Sequence, residues 1–302
     1  MKRLFFVLFA VTILAFVPAC ETLKNVTQAA TQVAVAAGAT SQETADAINS
    51  GVDLAVEAFD VITPEQEYWI GRTVAAMLIK SSKPYDNAKV NGYLNVLGQS
   101  LSTVSKMPET FGGYHFLATD TDEISAFSAP GGLILVSRGL LKCCKNEDEL
   151  AAVLAHEVAH IQNRHGVRAI KKGRLTSKTV STASKAAQAM TRTEVGQLAG
   201  AFEDCVNDVA STLVNSGYSK AYEYDADAGA VEIMKAIGYN PVALRDMLQE
   251  MEKRVKPEAG FGKTHPAAKD RIKKIAGLIM DNPPVTEPAE RQARFQKAMA
   301  GV

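Results

Sequence analysis

Apolar residues recur at helical spacing over much of the chain after residue 60. In "TPEQEYWIGRTVAAMLI", beginning at Thr63, the apolar positions Trp69, Ile70, Val74, Met77 and Leu78 share one helical face. Thr63 can cap that helix, Pro64 suits its first position, and Gln66 completes a capping-box pattern. A second helix places Val90, Tyr93, Leu94, Leu97 and Leu101 on one face. The spacing then changes. "YHFLAT" (114–119) and "GLILVS" (132–137) read as strands, joined by a loop that ends in Pro130-Gly131-Gly132. From Asn146 onward the pattern is helical again, with Asn146 and Glu149 forming a cap pair. Residues 174–217 are helix-prone and rich in small side chains. "YEYDADAGAVEIMKAIGYNP" is a further helix, stopped by Gly238 with Pro241 beyond. The elements predict an α+β fold that is mostly helical.

The flanks differ in character. Residues 20–60 are Ala-, Thr- and Gln-rich and read as a tether with a weakly amphipathic helix, residues 61–281 as the globular domain, and 282–302 as a Pro-marked polar tail. Ahead of them, "MKRLFFVLFAVTILAFVPAC" carries Lys2 and Arg3, an apolar run from Leu4 to Val17, then a small residue before Cys20. That is the layout of an export signal over residues 1–19, and the run is short for a spanning helix. Cys20 stands where a bacterial lipobox places its lipidated cysteine, although Pro18 is unusual there and "VPA" would also serve an ordinary signal peptidase. Lipid on Cys20 would make the protein an exported, periplasmic lipoprotein tethered to a membrane surface, and Glu21 leans toward the outer membrane. Export also permits a disulfide from Cys205 to Cys143 or Cys144; buried free thiols are the alternative.

Composition excludes one class of partner. The 302 residues hold 33 Lys and Arg against 33 Asp and Glu, with one Trp. No nucleic-acid partner is expected, because neither a basic surface nor stacking aromatics are available.

The chemistry concentrates in "ELAAVLAHEVAHIQNRH" (149–165), where His156, Glu157 and His160 form an HExxH motif. On a helix His156 and His160 lie about 40° apart, one turn apart on one face, so both imidazoles can bind one ion. Glu157 is rotated to reach a water beside it. The competing reading, a core helix with three polar passengers, must bury three unpaired polar groups at substantial cost. A catalytic zinc needs a third protein ligand. His165 would lie about 140° around the helix from His160, so it is set aside and read as a charge partner for the helix C-terminus. "Glu223-Tyr-Asp-Ala-Asp227" supplies better candidates on one helical face: Glu223 as third ligand, and Asp227 as acceptor for the outer ring nitrogen of a ligating histidine.

With these motifs the chain resembles the HtpX-type and CAAX-prenyl-protease-type zinc metallopeptidases, gluzincins that pair HExxH with a later Glu. The matching stretches are "AFSAPGGLILVSRGLL" (126–141), residues 149–165, "YSKAYEYDADAGAVEIMKAIGYNP" (218–241) and "THPAAKDRI" (264–272), in the family's order. The lack of spanning segments after residue 20 resembles the family's exported, lipoprotein-like bacterial branch. Departures are small: Ser125 for Asn, Lys220 for Arg, and Asp225 for the second Glu of ExEAD.

The resemblance implies a zincin-type fold with a small β-sheet beside the HExxH helix, and one Zn2+ held by His156, His160 and Glu223. It implies peptide hydrolysis with Glu157 as general base and His265 stabilising the oxyanion or taking the metal's fourth position at rest. Arg271 would pair with an acidic residue of the site, and Asp225 with a cation. Gly131, Gly132 and Leu133 would open an edge strand that holds substrate extended, or else form a simple structural hairpin. His115 is read as a packed or surface histidine. Substrates would be polypeptides, in particular misfolded envelope proteins. Two other classes compete: a non-proteolytic zinc-binding chaperone or assembly factor on the same fold, and a structural lipoprotein with an accidental motif. The first has no use for Glu157, and the second predicts no zinc.

Overall fold

The computed structural model describes residues 20–46, 48–49, 62–176, 217–254, 265, 267–280 and 287–302. The export signal, Cys205 and the helix-prone stretch 177–216 lie outside the described residues. The chain divides into two compact units, one ending at Thr63 and one running from Pro64 to Val302. In the first, helix α1 (Cys20–Ala36) begins at the cysteine singled out above. Among the described residues no helix is long and apolar enough to cross a membrane.

The second unit opens with α2 (Pro64–Ser81) and α3 (Ala88–Ser102). Asn87 caps α3 by accepting the Val90 amide, and Val90, Leu94, Leu97 and Leu101 are buried along the expected face. On α2, Ile70 and Val74 turn inward, whereas Trp69 is 58% exposed. Three short strands follow: β1 (His115–Thr119), β2 (Ala126–Ala129) and β3 (Leu133–Ser137). The sheet order is β1-β3-β2, with β1 parallel and β2 antiparallel to β3. The expected loop therefore contains a strand, β2, and β3 is the central strand rather than an edge.

After the single turn α4 (Arg138–Leu141) comes α5 (Glu147–Gln162), the HExxH helix. Asn146 accepts the Glu149 amide at 2.8 Å, and the Glu149 carboxylate takes the Lys145 amide at 2.7 Å. The first bond satisfies an orphan amide of the helix, and the second ties the residue before the cap to the first turn. Every residue of α5 is buried. It packs against α3, β2, α7 (Lys220–Ala236) and α8 (Val242–Arg254), with α6 (His165–Thr176) directly after it. α9 (Ala268–Met280) packs on α7 and α8. The layout is mostly helical with a small sheet on the α5 side. Cys143 and Cys144 are buried free thiols.

The C-terminal stretch expected to be a polar tail instead forms α10 (Ala289–Met299), with Phe295 and Ala298 buried. Its two arginines grip the start of α5. Arg294 pairs with the fully buried Glu147, which also accepts from Tyr239 at 2.6 Å and Tyr93 at 2.8 Å, while Arg291 meets Asp148 at 3.3 Å. Burial alone would raise the Glu147 carboxyl, but the bonds from Arg294 and the two tyrosines outweigh it and hold it below its usual range. A carboxylate lowered in this way contributes stability in full above its unfolded value of about 4.3, and loses it as pH falls through the folded value. Arg294→Ala is expected to cost about 2 kcal/mol, less than a fully buried pair because Arg294 is half exposed. The loss should shrink below about pH 4, which chemical denaturation at two pH values would measure.

Candidate metal centre

Three elements meet at the site. Ser219 caps α7 by accepting the Tyr222 amide, so Glu223 lies in the first turn. Gly229 lets α7 press against α5, because a Cβ there would sit 2.9 Å from the Ala159 Cβ. That approach brings Glu223 to the histidine face. His156 Nε2 and His160 Nε2 lie 3.1 Å apart. The Glu223 carboxylate bridges toward both, with Oε1 3.4 Å from His160 Nε2 and Oε2 3.6 Å from His156 Nε2. His265 hydrogen-bonds through Nδ1 to Glu223 Oε2. One donor atom from each of these four residues lies within 4.8 Å of all the others.

The set fits a zinc ion. Two nitrogens on one tetrahedral zinc stand about 3.3 Å apart, close to the spacing of the two imidazoles. Glu223 Oε1 and Glu157 Oε1 are both buried without a hydrogen-bond partner, a cost that a metal and a proton-donating reactant would relieve. The donors are two imidazoles and a carboxylate, the chemistry catalytic zinc favours.

Charge around the set is closely compensated. Arg271 on α9, 1% exposed, clamps Asp227 through Nε at 2.9 Å and Nη2 at 2.6 Å. Asp227 Oδ1 lies 3.0 Å from His156 Nδ1. Burial would raise the Asp227 carboxyl, but the Arg271 charge and bonds outweigh it and hold it down at about 2. Burial and Arg271 depress His156, and the neighbouring carboxylates of Asp227 and Glu223 reverse this, lifting it to about 9. Glu223 is held well below the carboxylate range: burial is overcome by the charge of His265, its hydrogen bond, and the nearby imidazoles of His156 and His160.

Several expectations change. His165 is fully buried, and its Nδ1 lies 2.9 Å from His160 Nδ1. Ideal helix geometry pointed it away, but α5 ends at Gln162 and Arg164 adopts a left-handed conformation, φ 51°, which turns His165 back toward the site. It begins α6 rather than closing α5, and burial, then the neighbouring His160, lower it to about 3, so it is no charge partner. Gly131, Gly132 and Leu133 do not open an edge strand, since both sides of β3 are paired. The two glycines serve the turn, with φ of 79° and 109°, and a Cβ on Gly131 would sit 2.7 Å from the Tyr68 Cα. Asp225 is exposed and outside the donor set, 3.9 Å from His165 Nε2, and among the described residues it pairs with no Lys or Arg. His115 is exposed, its Nε2 bonded to Gly112 O at 2.8 Å.

Tyr218 went unmarked in the sequence. Its ring stacks on His160 at 4.2 Å, and its hydroxyl donates to Ser128 O of edge strand β2 at 3.1 Å. An aromatic just before a helix cap carries no signal of such a place; only the fold brings it there.

Two imidazoles from one helix, a carboxylate from a second and a glutamate beside the first histidine define the donor set of a zincin-type metallopeptidase. The chain belongs to peptidase family M48, whose pattern matches residues 88–279. It is 27% identical over 227 residues to the beta-barrel assembly-enhancing protease of Yersinia pestis, covering 72% of this chain and 44% of that one. The mitochondrial metalloendopeptidase OMA1 of Schizosaccharomyces pombe is 31% identical over 190 residues, 61% of this chain and 51% of its own. Metalloprotease LoiP of Escherichia coli is 24% identical over 154 residues, 51% of this chain and 58% of its own. The chain thus spans about half the length of the curated relatives it matches.

Proposed function

We propose that the protein is a zinc-dependent metalloendopeptidase that hydrolyses peptide bonds of envelope proteins in quality control. The observation that carries this reading is the pair of facing Nε2 atoms of His156 and His160, joined by the Glu223 carboxylate. His156, His160 and Glu223 would hold the metal. When bound, zinc would polarise the scissile carbonyl and make an attacking water acidic near neutral pH. Glu157, buried on the same helix, would take the water's proton and return it to the leaving amine. His265, bonded to Glu223, would donate to the oxyanion of the substrate or complete the donor set at rest. Asp227, fixed by Arg271, would hold the orientation of His156.

The name of one relative, a beta-barrel assembly-enhancing protease, supports the envelope setting, and that of another, a mitochondrial metalloendopeptidase, supports the activity. The export signal and Cys20 support a periplasmic protein tethered by lipid, at the outer membrane. Removing metal with a chelator is expected to abolish casein hydrolysis, and zinc to restore it. Hydrolysis indifferent to the chelator would sink the zinc reading.

A further inference from the structure

Each proposed ligand histidine has its own partner behind the ring. For His156 it is Asp227, locked by Arg271. For His160 it is another imidazole, because His160 Nδ1 and His165 Nδ1 lie 2.9 Å apart. Two nitrogens at that distance share one proton: one donates and the other accepts. The direction is decided by the other end of His160. Its Nε2 faces His156 Nε2 at 3.1 Å and Glu223 Oε1 at 3.4 Å, the place a metal would occupy. If His165 donated, the proton of neutral His160 would sit on Nε2 and block that place.

We propose that His165 is a positioning residue for the metal site: its Nδ1 accepts the Nδ1 proton of His160 and so fixes the tautomer that presents Nε2 to the ion. The inference rests on the zinc reading above. His165 is built for a fixed orientation. Its ring lies flat on Tyr222, 4.6 Å between centroids and 8° between planes, and Tyr222 is covered in turn by Arg168 at 4.6 Å. The left-handed turn at Arg164, uncommon for a side-chain-bearing residue, sets the ring in place. His165 Nε2, which then carries its own proton, makes no hydrogen bond among the described residues, and the Asp225 carboxylate lies 3.9 Å from it. A neutral acceptor orients His160 without adding a further negative charge to the buried Glu157, Glu223 and Asp227. The two ligands are therefore steadied by different chemistry, a carboxylate for one and an imidazole for the other.

The test compares zinc dissociation constants, by competition with a chromogenic chelator, for the full chain and its His165→Leu and His165→Asn variants. Melting temperatures of the zinc-free forms report folding. Loss of an outer partner weakens a metal site by about 10–100-fold, so His165→Leu should lose affinity in that range. His165→Asn, whose side-chain oxygen can accept from His160, should recover most of it. A folded His165→Leu variant that binds zinc as tightly as wild type would overturn the proposal, as would equal weakening in both variants. Nitrogen-15 NMR of the zinc-loaded wild type decides the matter even if His165→Leu fails to fold. A proton on Nδ1 of His160 and on Nε2 of His165 supports the proposal, and the reverse pattern overturns it. A wild type that binds no zinc at all would instead contradict the metal reading on which the proposal stands.

Discussion

Glu157→Gln is expected to lower peptide hydrolysis by about 10²–10⁴-fold while leaving zinc bound. The amide keeps the size of the carboxylate but cannot take a proton, so the general base is removed and little else changes. Glu157 is buried on α5, and its Oε1 has no hydrogen-bond partner, so no structural bond at that atom depends on its charge. The effect should therefore appear in kcat rather than in the melting temperature. Matched thermal melts and metal analyses of the two proteins separate a chemical loss from a folding loss. Equal activity in wild type and variant would contradict the role given to Glu157, and would favour a binding protein that keeps the fold.

Arg271→Leu is expected to be the most destabilising change near the site. Arg271 and Asp227 are both buried, and the guanidinium makes two hydrogen bonds to the carboxylate. Removing one partner of such a pair leaves a buried charge and costs about 3–5 kcal/mol. The pH dependence should change as well. Burial pushes the Asp227 carboxyl up, but the charge and bonds of Arg271, with His156 beside it, hold it down at about 2. Without the arginine only His156 opposes burial, and the folded value rises relative to wild type. The variant's shortfall is then full where Asp227 is ionised in both proteins, and it shrinks as pH falls through the variant's raised folded value. The variant should thus recover part of its lost stability as pH is lowered toward about 4. Denaturant titration at two pH values reads this, and a pH-independent loss would point to packing rather than charge. Asp227→Asn in the same background should restore part of the stability, because no bare carboxylate then remains.

What the sequence revealed depended on how local the cause was. The two imidazoles and Glu157 follow from helix geometry over four positions, and the structure brings His156, His160 and Glu223 together. The cap at Asn146 and the buried face of α3 are local too. β2 escaped notice because Ala126-Phe-Ser-Ala129 has one large side chain and runs straight into a turn. The central place of β3 followed from it, since an unrecognised strand cannot be counted as a neighbour. α10 was hidden by its composition: Phe295 and Ala298 are its buried positions, and its arginines act by pairing with acids at the far end of α5. His165 departs from the helical expectation for a different reason: α5 stops at Gln162, and one left-handed residue, Arg164, reverses the direction of the ring.

The measurement that tests the central claim most directly is anomalous scattering at the zinc absorption edge from crystals of the purified protein. A single strong peak between His156 Nε2, His160 Nε2 and the Glu223 carboxylate is predicted. A well-ordered site with no peak there, or zinc bound only elsewhere on the chain, would contradict it.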